Sequence, residues 1–120
     1  MKLGVILMFN LKDTYLVDFQ GSVMENNFFK NKRVLAFCGI ANPYSFFEQI
    51  ESLGIKVGER LIYSDHHNYS EKDIQFIYKN NSDFFITTEK DFVKIKSIWK
   101  DKDKLFILVN EYELKEKLVI

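Results

Sequence analysis

The sequence is poor in the residues that staple or punctuate small folds. Cys38 is the single cysteine, so an intrachain disulfide and a cysteine-cluster zinc site are both excluded. Pro43 is the single proline, and the five glycines form no Pro/Gly-rich linker; internal repeats and low-complexity tracts are also lacking. No charge of one sign predominates. Seventeen Lys+Arg balance 17 Asp+Glu, without the basic excess of a nucleic-acid binder, so no nucleic-acid partner is expected. The longest apolar run, 34–41, is less than half of the ~18 residues that a membrane-spanning helix needs, so no transmembrane segment is expected either. Met1–Phe9 offers one lysine and an apolar stretch. It is short, has no small-residue cleavage site and runs straight into Asn10-Leu11-Lys12-Asp13, so it reads as a strand and not as a secretory signal. These absences describe a soluble protein of a reducing compartment, the cytoplasm.

What is present suffices for one core. The chain has 120 residues, 47% of them hydrophobic, which suits one domain of ordinary size. Two short apolar runs, 4–9 and 14–19, flank Asn10–Asp13 in the pattern of a hairpin or two-stranded ribbon. Residues 20–32 are polar around Phe28-Phe29 and read as a connection. From Arg33 onward, strand and helix patterns alternate. Val34–Cys38 is a continuous apolar run, as in a strand buried on both faces. Asn42-Pro43 opens a helix carrying Phe46, Phe47, Ile50 and Leu53, and Gly54 stops it. The spacing predicts a strand over 55–63 and a helix capped by Ser70 with Asp73. It then predicts a strand over 83–87, a helix capped by Thr88 with Asp91, and a strand over 105–109. Residues 111–120 form a tail without an assigned element. The fold class is therefore α/β: a three-layer α/β/α sandwich with a mostly parallel sheet, preceded by a two-stranded β ribbon.

In such a sheet, ligands bind where the strands end and loops lead into helices. Three polar clusters fall there: Gly39–Pro43, Ser64-Asp65-His66-His67 and Thr87–Asp91. Asp65, His66 and His67 include both histidines of the chain. A histidine near neutral pH relays protons and a neighbouring carboxylate orients it, but the same triplet suits a solvated turn equally well. As metal ligands, three consecutive loop residues have poor spacing, and no metal site is assigned. Thr88 and Asp91 suit a capping box with Glu89 at the positive helix end; alternatively Lys90 faces an anion such as phosphate. Cys38 reads as a core residue, and the lysines between 90 and 104 as a solvated face with Trp99 anchored beside it.

These clusters also carry a family resemblance. Residues 33–47 (RVLAFCGIANPYSFF), 65–70 (DHHNYS) and 87–94 (TTEKDFVK) resemble, in order and spacing, three motifs of the tetraacyldisaccharide 4'-kinases. These are the lipid A pathway kinases of Gram-negative bacteria. Trp99 ahead of an apolar strand fits as well. The resemblance covers about residues 30–110 closely and the N-terminal ribbon more loosely. It implies an enzyme that uses ATP and Mg²⁺ to phosphorylate the 4'-hydroxyl of the lipid A disaccharide 1-phosphate, at the cytoplasmic face of the inner membrane. It also implies two α/β/α domains joined by a two-stranded β linker, the first holding the phosphate loop. Residues 1–29 then correspond to the linker and connection, and 30–120 to the C-terminal α/β domain. The resemblance gives His66 the role of activating the substrate hydroxyl, paired with an aspartate of the first domain, with Asp65 beside it. His67 falls where the family varies and receives no role. Thr88, Glu89, Lys90 and Asp91 correspond to a stretch lining the interdomain cleft, with Asn42 a further candidate there.

One departure is large. The pattern G-x-x-x-x-G-K-[ST] does not occur in the 120 residues. The phosphate loop, the Mg²⁺ ligands and the partner aspartate are expected upstream of Met1, in a P-loop domain that is lost or carried by a separate chain. On that expectation the chain alone binds ATP without strength and lacks kinase activity. Two other readings compete. A metal-dependent phosphoesterase using the Asp-His-His motif would need upstream aspartates for two metals, and only Asp13 and Asp18 are there. A non-catalytic interaction module of kinase-like fold would expose an apolar patch where another domain docks.

Overall fold

The computed structural model describes residues 4–119, with side chains through Glu116; Met1–Leu3 and Ile120 lie outside the described residues. Six strands form one sheet. They are β1 (Gly4–Val17), β2 (Val23–Met24), β3 (Val34–Cys38), β4 (Glu59–Ile62), β5 (Phe84–Thr88) and β6 (Leu105–Val119), in the spatial order β2-β1-β6-β5-β3-β4. Three pairings are parallel (β3 with β4, β3 with β5, β5 with β6), and β1 runs antiparallel to β2 and β6. Helices α1 (Pro43–Ser52), α2 (Glu71–Tyr78) and α3 (Glu89–Ile95) provide the crossovers.

The alternation of β3 builds the three layers. Val34, Ala36 and Cys38 point to one face, where Phe46, Phe47 and Ile50 of α1 cover them together with Phe29. Leu35 and Phe37 point to the other face, against Ile74 and Ile77 of α2, Ile95 of α3 and Trp99. A strand with both faces covered must be apolar throughout, and all five residues of β3 are buried. Trp99 stacks on Phe37 at 5.8 Å, and its indole N–H donates to the Asp101 carbonyl at 2.8 Å. Its polar handle is thereby satisfied inside the core.

The helix boundaries follow the caps. Asn42 accepts the Ser45 amide with Pro43 at the first helical position, and Gly54, at φ +82°, ends α1 in the left-handed region. Ser70 and Asp73 form a complete capping box on α2. The strand expected over 55–63 shortens to β4, an edge strand, while Ile55 is buried in the preceding loop. β5 begins at Phe84; just ahead of it the Asp83 amide donates to the Arg33 carbonyl and the Asp83 carboxylate accepts the Arg33 amide, both at 2.8 Å.

The expected hairpin over 4–19 is not formed. Residues 4–17 are one strand, and its partner is the tail that was left without an element: thirteen registered pairs join β1 to β6, from Gly4↔Val119 to Val17↔Ile107. The ribbon exists, but its second strand comes from the end of the chain. Asn10–Asp13 contains no glycine for a tight hairpin turn, and it is accommodated as a register shift between Leu11 and Asp13. Pairing with β6 engages one edge of the whole run, with more pairs than a hairpin of two six-residue arms would make.

Candidate functional site

The chain order β3, β4, β5 places β4 on one side of β3 and β5 on the other. The crossovers diverge between β3 and β5, and the loops after them part at their carboxyl ends, the usual place for a ligand crevice in an open α/β sheet. All three polar clusters of the sequence lie along this rim.

Beneath the rim, Asp91 ties the loops together. Its side chain is fully buried. The Gly39 amide donates to both carboxylate oxygens at 3.1 and 3.2 Å, the Tyr69 hydroxyl donates to Oδ1 at 3.0 Å, and the Thr88 hydroxyl donates to Oδ2 at 2.6 Å. The Asp91 amide in turn donates to Thr88 Oγ1 at 3.1 Å, capping α3. Only this half of the expected capping box is made; the carboxylate is directed into the protein, where donors from all three loops converge on it. Desolvation, followed by the Asp91 charge and its hydrogen bond, pushes the Tyr69 hydroxyl far above its ordinary range. Tyr69 therefore stays a donor. Gly39 is required for this approach: a Cβ there would stand 2.9 Å from the Ser64 carbonyl oxygen and 3.2 Å from the His67 Cβ.

Above the rim lies an open cleft of ≈ 330 Å³. Asn42, Thr88, Glu89 and Lys90 line it, while Asp91 lies below them. Its far wall comes from α1 and the ribbon, through Gln49 and Asn110. The Asn110 amide donates to Gln49 Oε1 at 3.1 Å and accepts from the Thr14 hydroxyl at 2.8 Å. Neither residue was singled out by the sequence, because only the β1–β6 pairing brings the C-terminal segment to α1. A larger apolar groove of ≈ 480 Å³ lies outside α2, between Ile74, Tyr78 and Ile98, away from these polar groups.

The Asp-His-His triplet divides three ways. Lys90 Nζ lies 3.3 Å from Asp65 Oδ1, which joins the triplet to the cleft wall. Desolvation pushes the Asp65 carboxyl up, but the Lys90 hydrogen bond, the charges of His66 and Lys90, and a hydrogen bond from the His66 backbone outweigh it and hold it below the ordinary carboxylate range. His66 projects into solvent with its side chain 76% exposed, its Nε2 3.5 Å from Asp65 Oδ2. Its backbone is left-handed, at φ +62°, a conformation costing about 1–2 kcal/mol for a residue other than glycine. His67 turns inward: Nε2 lies 2.9 Å from Asp73 Oδ2 and the ring stacks on Tyr63 at 4.5 Å. Three side chains aimed at three partners do not make a metal cage, and no group of three or more metal-ligating side chains gathers among the described residues. The phosphoesterase reading thus has no ligand set here. Cys38 is buried, and desolvation first, then the Asp91 charge, pushes its thiol up to about 12.

Comparison with known proteins decides the family. The model of the family described as tetraacyldisaccharide-1-P 4'-kinase matches residues 4–119. The chain belongs to this family. Among relatives named tetraacyldisaccharide 4'-kinase, the protein of Syntrophus aciditrophicus is 36% identical over 84 residues, covering 67% of this chain and 22% of its own length. That of Halothermothrix orenii is 38% identical over 95 residues, 72% of this chain and 25% of its own. This member of the 4'-kinase family therefore spans about a quarter of the curated relatives it matches. Its fold is also that of the crystal structure of LpxK from Aquifex aeolicus in complex with ATP. That likeness has a TM-score of 0.59 at 22% identity and covers 92% of this chain and 32% of the other.

Proposed function

We propose that this chain works as the hydroxyl-activating portion of a tetraacyldisaccharide 4'-kinase, with His66 as the general base on the 4'-hydroxyl of the lipid A disaccharide 1-phosphate. The observation that carries this reading is the placement of His66: solvent-facing at the carboxyl end of the sheet and beside Asp65, which pairs with Lys90 of the polar cleft. An imidazole nitrogen there accepts the hydroxyl proton as the oxygen attacks, a contribution of about 10²–10⁴-fold. Asp65 orients the ring and favours the imidazolium that forms. Asn42, Thr88, Glu89 and Lys90 offer polar groups to the sugar side of the cleft, and Asp91 fixes the loops that carry them.

The residues of this chain do not fit the phosphates of ATP, and among the described residues no three metal-ligating side chains gather to hold a Mg²⁺ ion. The Gly39 amide is already engaged by Asp91, and α3 carries Glu89 and Asp91 in its first turn, where they repel an anion. We assign ATP, Mg²⁺ and the phosphate loop to the remaining portion of the kinase, on the same or a separate chain. In this reading 1–29 are the linker and connection toward that portion, and 30–120 the α/β domain that completes the cleft. Because the substrate is tetraacylated, the work belongs at the cytoplasmic face of the inner membrane; among the described residues no helix is long and apolar enough to cross it.

The test is a chimera in which residues 4–119 replace the matched quarter of the Syntrophus aciditrophicus relative, with a version co-expressed in trans as the alternative. Transfer of labelled phosphate from ATP to the 4'-hydroxyl by either, with none by the 120 residues alone, supports the assignment. Kinase activity from the 120 residues alone contradicts it.

A further inference from the structure

We propose that His67 is a positioning residue: it clamps the loop after β4 so that His66 alone of the two histidines is held outward, beside Asp65. The inference rests on the reading of His66 above, in which His67 has no part.

The geometry of the loop is asymmetric. His66 touches little and holds a left-handed backbone, whereas each neighbour is anchored. Asp65 is anchored by Lys90 of α3. His67 is anchored on every side: Nε2 to Asp73 Oδ2 at 2.9 Å, the ring stacked on Tyr63 and perpendicular to Tyr69 at 4.9 Å. Its amide donates to the Ser64 carbonyl at 3.1 Å, and its carbonyl accepts from Lys94 Nζ at 2.9 Å. Asp73 Oδ2 already accepts the Ser70 amide at 2.9 Å, so it acts as an acceptor toward His67 and the imidazole carries its proton on Nε2. Asp73 is held by the first turn of α2, and Tyr69 by Asp91. The clamp therefore refers the loop to two helices and to the core.

A residue in the left-handed region persists there only when its surroundings hold it. Bonds on both sides of His66 supply that restraint. Without the His67 side chain, the loop keeps only its two backbone bonds, to Ser64 and from Lys94, and the Lys90–Asp65 pair, which is exposed and worth little. His66 would then sample many orientations, and few would keep it beside Asp65.

Two variants separate the parts of the clamp. His67→Phe keeps the ring on Tyr63 and removes the hydrogen bond to Asp73. His67→Gln restores an N–H near the position of Nε2 without the ring. Amide hydrogen exchange of the 120-residue chain reads the loop directly, at the His67 amide that donates to Ser64. We expect exchange there to speed up about tenfold or more in His67→Phe, the loss of one charge-assisted bond, and to return most of the way in His67→Gln. In the chimera, His67→Phe should lower kcat by a similar factor and leave KM for both substrates within about twofold, since the loop and not the binding surface is altered. Unchanged exchange in His67→Phe, or a rise in KM alone, would overturn the proposal. Full activity of His66→Ala in the same chimera would instead remove the reading of His66, and the exchange measurement would still decide whether His67 holds the loop.

Discussion

The backbone amide of Gly39 meets the buried carboxylate of Asp91, 52 residues later in the chain, at 3.1 and 3.2 Å. That single contact joins the loop after β3 to the first turn of α3, and Tyr69 brings the loop after β4 to the same carboxylate. The rim is rigid because three donors from three loops share one acceptor.

Gly39→Ala tests the closeness of that approach. The added Cβ would meet the Ser64 carbonyl at 2.9 Å, against backbone that cannot rotate away. A loss of about 1–3 kcal/mol is expected in urea unfolding, the usual range for overpacking. Displacement of the 64–67 loop should accompany it, seen as amide shift changes at Asp65, His66 and His67.

Asp91→Ala should cost more, on the order of 3 kcal/mol, because it leaves buried donors of Gly39 and Tyr69 without a partner. Asp91→Asn should not rescue it, since an amide nitrogen adds a donor where donors already converge. Tyr69→Phe removes one donor and leaves the others paired, so a loss of about 1 kcal/mol is expected. Denaturant midpoints of the three variants rank the effects.

Acid should act through Asp73. The Ser70 amide is the largest influence lowering its pKa; desolvation opposes it, and the His67 bond and charge assist. A carboxyl with a depressed folded pKa contributes stability that is fully present above its unfolded value of about 3.9 and is lost as pH falls through the folded one. Stability should therefore drop below about pH 4, and Asp73→Ala should flatten that part of the curve while lowering its plateau. Thermal melts between pH 2 and pH 7 measure both.

Cys38 should be inert. Its thiol is buried and shifted up to about 12, so little thiolate exists at pH 8. A disulfide reagent should label it only after denaturant is added, and rapid labelling of the native chain would contradict the buried β3.

Local signals were legible wherever they decide local structure. Asn42-Pro43, Ser70 with Asp73, and Thr88 marked three helix starts, and the unbroken apolar run 34–38 marked the central strand. The pairing of 4–17 with 105–119 was not legible, because strand partners about a hundred residues apart leave no trace in either segment's pattern. Asn10–Asp13 looked like a turn for its polarity, yet a ribbon exposed on both sides accepts polar residues within a strand. The rim was foreseen as three clusters from topology. Their union through Asp91 was not, since a Thr with an Asp three residues on reads first as a cap. The residue pattern alone did not separate His67 from His66; only the resemblance did, and the backbone then turned one outward and the other toward Asp73.

Proton transfer from the substrate hydroxyl to His66, as proposed above, is tested by a kinetic comparison of the chimera with its His66→Ala variant. A fall in kcat of about 10²-fold or more is expected, with KM nearly constant and loop exchange unchanged. Undiminished phosphate transfer by His66→Ala would contradict it.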